Sequence, residues 1–225
     1  MEATAAMDAE ILAEHDAHAG DGGAKRRQIM DGARTVFLSA GFDGASMNDI
    51  AQAAGVSKGT LYAYFDSKEQ LFETLIREDK EQQAERLCSL PLECSDPRAL
   101  LGALGRSLLE VMIRPETIAH VRVVIAATAK FPRLGRAFYE AGPRFGTHRL
   151  AALLQRYVDS GVLEIADTQR AARQFLDLCQ TDVHKPLLFG VVDSVSPSEI
   201  DAAVDAAVDV FLKAYRPSRA IPPPA

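Results

Sequence analysis

Apolar residues recur at spacings of three and four along almost the whole chain, with scarcely any strict alternation, and that pattern restricts the fold to packed α-helices. The first stripe, Ile29, Ala33, Val36, Phe37 and Ala40, predicts a helix from about Lys25 to Ala40 that Gly41 stops. Ser46 is placed to cap a second helix, which turns Ile50 and Ala54 inward before Gly55 breaks it. Ser57 caps a third and very short helix, Lys58 to Tyr64. A fourth begins near Ser67 and shows Leu71, Phe72, Leu75 and Ile76 as its apolar face.

Pro97 and Pro115 read as first-turn prolines, opening helices of about 97–113 and 115–130. A longer segment, 132–160, should end or kink at Gly142-Pro143, and Gly161 closes it. The last two helices are expected over 167–189 and 197–215, with stripes Ala172, Phe175, Leu176, Cys179, Val183 and Ile200, Val204, Val208, Phe211, Tyr215. Residues 1–22 are acidic, Ala-rich and poor in large apolar side chains, and predict a flexible tail; 217–225, with three consecutive prolines, predict another.

The charge balance is −6, which at first sight disfavours nucleic acid, because such affinity leans on Lys and Arg neutralising phosphates. The distribution matters more. Between Lys25 and Lys68 there are six basic and four acidic residues, a balance of +2, so the remainder carries −8. A mildly positive segment on an acidic body suits a small docking face. Cys88, Cys94 and Cys179 are odd in number and have no His or Cys at zinc-ligand spacing, which weighs against a structural metal site and a disulfide framework and reads them as ordinary helix residues. No apolar run approaches the roughly 20 residues of a membrane span, and no basic-then-apolar leader opens the sequence, so a cytoplasmic protein without membrane contact is expected. There is no Gly-rich phosphate loop, no G-x-S-x-G elbow, no paired carboxylates in an apolar setting and no metal triad, which argues against an enzyme and implies no cofactor.

The most informative stretch is 46–65, a capped helix, a Gly-Val-Ser turn and a second short helix. In a helix-turn-helix the second helix enters the major groove, its N-terminal residues toward base edges, while the first crosses the backbone. Ala51 and Ala54 are small enough for two helices to cross closely, and Gly55 can adopt the positive φ of the turn. Outward on the second helix are Lys58, Gly59, Thr60, Tyr62 and Tyr64. Gly59 allows close approach, Thr60 and Lys58 suit base edges, and Tyr62 and Tyr64 suit phosphates. Lys68, at the start of the next helix, is expected on a phosphate.

The runs Phe37-Leu-Ser-Ala-Gly-Phe42, Asp49-Ile-Ala-Gln-Ala-Ala-Gly-Val-Ser-Lys-Gly-Thr-Leu-Tyr-Ala-Tyr-Phe65 and Ser67-Lys-Glu-Gln-Leu-Phe72 closely resemble the N-terminal domain of TetR/AcrR regulators. The resemblance covers about 25–79, with Met47 where many members have Thr or Val. The stretch 131–143, with 150–163 and 171–175, is similar to an AefR-like subgroup. The resemblance implies an all-α protein: a helix-turn-helix domain over 23–70, then a helical ligand-binding and dimerisation domain over 71–216. It implies a homodimeric repressor that double-stranded operator DNA holds and a small apolar or amphipathic effector releases. The family's DNA contacts fall on Ser46, Ser57, Lys58, Gly59, Thr60, Tyr62, Tyr64 and Lys68. An effector pocket is expected from Leu104, Leu108, Met112, Val121, Arg122, Ile125, Phe138, Phe145, His148 and Phe175, because pockets combine apolar walls with a few convergent polar groups.

Overall fold

The computed structural model describes the backbone of residues 2–88 and 96–217, and the side chains of residues 23–80 and 96–217. Among the described residues there is no strand. The helices are α1 (Glu2–Gly44), α2 (Met47–Ala53), α3 (Lys58–Tyr64), α4 (Lys68–Cys88), α5 (Pro97–Met112), α6 (Pro115–Thr128), α7 (Pro132–Tyr139), a π-helical turn (Glu140–Arg144), α8 (Phe145–Asp159), α9 (Thr168–Gln180), α10 (His184–Leu188) and α11 (Pro197–Tyr215). The chain divides into two compact units, Met1–Leu75 and Ile76–Ala225, and passes from one to the other within α4.

In the first unit, α1 buries Ile29, Met30, Ala33, Val36 and Phe37. Its backbone is helical from Glu2, where composition predicts a flexible tail over 1–22; Ala and Glu, which dominate that stretch, are strong helix formers. Gly41 ends the regular spiral, with φ 71° and ψ 174°, a conformation outside the helix that glycine adopts without a Cβ clash. Phe37, Phe42 and Phe72 then pack their rings with centroids 4.6–5.8 Å apart, tying α1 to α4 through the turn.

The second unit is built on a core of Leu101 and Leu109 from α5, Leu154 from α8, Phe175 and Cys179 from α9, and Val204 and Phe211 from α11. Gly105 makes this crossing possible: a Cβ there would lie 2.8 Å from Val204 Cγ1 and 3.2 Å from Cys179 Sγ, so α5 can approach α9 and α11 only without a side chain. Ser196 caps α11 reciprocally with Glu199, and Asp96 and Asp167 cap α5 and α9.

One expectation needs correction, and one break falls where it was expected. The helix expected over 167–189 is two helices, α9 and α10, separated at 181–183. Pro186 supplies the reason, since it has no N–H to donate one turn back and its ring crowds the preceding carbonyl. The segment 132–160 is likewise split, as Gly142-Pro143 predicts, but into a π-helical turn that keeps α7 and α8 continuous in direction of winding. The expected C-terminal tail beyond Pro217 and Cys94 lie outside the described residues, as does the side chain of Cys88. Cys179 is fully buried, and desolvation pushes its thiol up to about 12, as befits a packing residue.

Candidate nucleic-acid interface

Local chemistry builds α2 and α3. Ser46 Oγ accepts the Asp49 amide at 3.2 Å while Asp49 Oδ2 accepts the Ser46 amide at 3.2 Å, a reciprocal cap that fixes the start of α2. The helix ends on Gly55, at φ 62°, where Val56 N–H reaches Ala51 O (3.0 Å) and Gly55 N–H reaches Gln52 O (3.1 Å). Ser57 Oγ accepts the Thr60 amide at 3.0 Å, which starts α3 immediately after the turn. Leu61 and Phe65 are buried, so Lys58, Gly59 and Tyr62 are left exposed, with Thr60 and Tyr64 half-buried at the flanks.

The residues singled out from the sequence are therefore exposed or half-buried, Lys58 and Tyr62 on one side of α3 and Thr60 and Tyr64 on another. Ser46 and Ser57 are exposed at the two helix starts, and Lys58 Nζ lies 6.0 Å over the Tyr62 ring one turn along. The Thr60 hydroxyl is engaged with Ser57 Oγ at 2.8 Å. Lys68 is in addition tied to the protein backbone. Its ammonium donates to Phe42 O (2.7 Å) and Ala45 O (2.9 Å) and rests 4.5 Å from the centroid of Phe42, so it fastens the turn before α2.

Three supports escaped sequence reasoning. Gly32 lets α1 touch the end of α2: a Cβ would lie 2.6–2.7 Å from Ala54 N, Cα and Cβ. Gln28 Nε2 donates to Ala54 O at 2.6 Å. Arg26 lies 5.8 Å over the Phe65 ring. All three join α1 to residues more than twenty positions away, where no local pattern could announce them.

Residues 29–75 match the family described as bacterial regulatory proteins, tetR family, and residues 99–217 match the AefR-like transcriptional repressor C-terminal domain. The chain belongs to the TetR family. Its relatives in that family include the flavonoid-responsive regulator FrrA, 36% identical over 87% of this chain and 99% of FrrA, with a TM-score of 0.76. A TetR-family regulator of Mesorhizobium loti is 30% identical over 87% of this chain and 98% of its own, with a TM-score of 0.78. An HTH-type transcriptional repressor of Mycobacterium tuberculosis is 46% identical over 61 residues, 27% of this chain; that match spans 33% of the repressor's length.

In the AefR-like part of this TetR-family chain, the residues expected to line a pocket do not share one environment. Phe175 is fully buried in the core against Phe211, with ring centroids 5.4 Å apart. Ile125, Phe145 and His148 are exposed, His148 beside Gln169 at 3.2 Å. The Arg122 guanidinium donates to Leu187 O (2.8 Å) and Leu188 O (3.0 Å), closing the end of α10. Leu104, Leu108, Met112, Val121 and Phe138 are half-buried. Among the described residues no group of His, Cys, Asp and Glu is arranged to hold a metal ion, and no helix is long and apolar enough to cross a membrane.

Proposed function

We propose that the protein is a homodimeric, ligand-responsive transcriptional repressor of the cytoplasm that reads operator DNA with α3. The observation that carries this reading is Gly59. It stands in the first turn of an exposed helix at negative φ, and a Cβ there would meet nothing closer than Ser57 Oγ at 3.8 Å. Nothing inside the molecule requires glycine, and glycine in a helix is less stable than alanine by roughly 0.5–1 kcal/mol. A surface that must press its backbone against another molecule accounts for it, and a groove edge fits the neighbouring Lys58, Thr60 and Tyr62. Lys58 and Thr60 take the base edges in this reading, while Ser46, Ser57, Tyr62, Tyr64 and the remaining ammonium proton of Lys68 take phosphates.

A dimer follows from half-site spacing, because two recognition helices must meet major grooves about 34–36 Å apart or a multiple of it. A small apolar or amphipathic effector bound in the Ile76–Ala225 unit changes that spacing through α4, the helix in which the chain passes between units, and so releases the operator. The repressor role of the M. tuberculosis relative and the flavonoid response of FrrA support this direction. The test is a shift assay with DNA from upstream of the protein's own gene. A saturable complex that Gly59→Ala weakens at least tenfold is expected, and equal binding to that DNA and to random DNA would remove the reading.

A further inference from the structure

One stretch of α1 holds α3 at both of its ends. Beyond the last turn of α3, the Arg26 guanidinium lies 5.8 Å over the ring of Phe65. At the turn before α3, Gln28 Nε2 donates to Ala54 O at 2.6 Å, and Gly32 gives Ala54 the room to sit against α1. Ala54 is the C-cap of α2, a position where carbonyls are left without an intrahelical donor, so the Gln28 amide supplies what the helix cannot. The orientation of that amide is itself fixed. Lys25 Nζ donates to Gln28 Oε1 at 3.1 Å, which turns Nε2 toward Ala54.

The peptide that Gln28 holds is the one from which α3 takes its direction. It joins Ala54 to Gly55, whose φ of 62° makes the turn, and α3 starts at Lys58 under the Ser57 cap. The helix is only seven residues long, and the core grips it through Leu61 and Phe65, which leaves its N-terminal end to be placed by the turn. We infer that Gln28 is a positioning residue of the DNA interface: by holding Ala54 O it sets the angle at which Lys58 and Thr60 meet the base edges. This inference rests on the DNA-binding reading above. Binding constellations tolerate only about 0.5 Å or 10–20° of misplacement, whereas attraction between cations and phosphates survives such tilts. Loss of the tether therefore lowers binding to the operator and spares binding to random DNA. Gln28 is exposed, so its amide contributes to aim more than to the stability of the unit.

The experiment compares the affinity of the full-length protein for the upstream DNA and for random DNA of equal length, at one salt concentration, in wild type, Gln28→Met and Gln28→His. Methionine fills similar space without a donor, while the histidine Nε2 stands a similar distance from the backbone and donates as that tautomer. Gln28→Met should lower the ratio of upstream to random affinity about tenfold, with random binding changed less than about twofold and melting within about 3 °C of wild type. Gln28→His should restore most of the ratio. Hydrogen exchange gives a reading without DNA: the amides of Val56 and Thr60, which donate to Ala51 O and Ser57 Oγ, should exchange several-fold faster in Gln28→Met, while those of α1 from Ile29 to Phe37 do not. A ratio that survives Gln28→Met, upstream and random binding that fall together with melting, unchanged exchange at Val56 and Thr60, or a histidine no better than methionine would overturn the inference. Wild-type protein that binds both DNAs equally would instead remove the DNA-binding reading on which it rests.

Discussion

In the Met1–Leu75 unit the polar side chains that matter are at the surface: Ser46, Ser57, Lys58 and Tyr62 are exposed, held in place by caps and by one another. In the Ile76–Ala225 unit they are drawn inward, Lys80 against Phe138 and His184 with a buried Nε2. The difference separates two kinds of recognition. A surface meant for DNA keeps its donors hydrated until phosphates replace the water, so its strength depends on salt. A site for a small molecule lies in a poorly screened interior, so its strength depends on fit and charge matching more than on salt.

The sharpest way to break that contrast is Gly32→Ala. A methyl cannot fit 2.6–2.7 Å from the Ala54 backbone, so α1 must move off α2. Overpacking of this kind costs about 1–3 kcal/mol, and operator affinity should fall at least thirtyfold while effector binding by the other unit is unchanged. Loss of both together would show that the two functions are not separable.

Lys68 and Lys58 come next, because both are lysines beside the same face and only one is tied to backbone. Lys68→Ala removes charge-assisted hydrogen bonds to Phe42 O and Ala45 O and should destabilise the first unit by about 1.5–3 kcal/mol, read as a lowered melting temperature. Lys58→Ala should leave melting within about 0.5 kcal/mol of wild type and weaken operator binding alone. Identical melting of the two variants would refute the anchoring role of Lys68.

Much of this was legible in sequence because it is local. Ser46 with Asp49, Ser57, Gly55 and the prolines at 97, 115 and 197 act within one turn of themselves, and the helices they start or stop are where the pattern puts them. What stayed hidden is non-local. Nothing in sequence announces that the Lys68 ammonium also donates to Phe42 O and Ala45 O, more than twenty residues away. Phe175 and Ile125 carry the same apolar label, yet one is fully buried in the core and the other exposed, a distinction set by which helices pack on α6 and α9. Lys80 belongs to a helix whose sequence is largely charged, and only the contacts with Phe138 on α7 and with the π-helical turn at Gly142 distinguish it from its charged neighbours. Pro186 did carry a break signal, masked by the unbroken stripe from Phe175 to Val183.

The buried ammonium makes a proton linkage: Lys80 titrates at about 8 when folded and at 10.5 as its ordinary value, so between those pH values the unfolded chain holds the proton and the folded chain has released it. Stability should therefore rise from pH 8 toward 10.5 in wild type relative to Lys80→Met, measured by urea unfolding; a flat difference would show that Lys80 is hydrated. Smallest is the stability change of Gly59→Ala, a gain of up to about 1 kcal/mol, which must accompany weaker operator binding if the glycine serves the groove and not the fold.

Whether the exposed face of α3 holds DNA through phosphates is read from the salt dependence of affinity for the upstream DNA. With about eight phosphate contacts over two half-sites, the slope of log affinity against log salt should be roughly −7. A slope near zero would show that it does not.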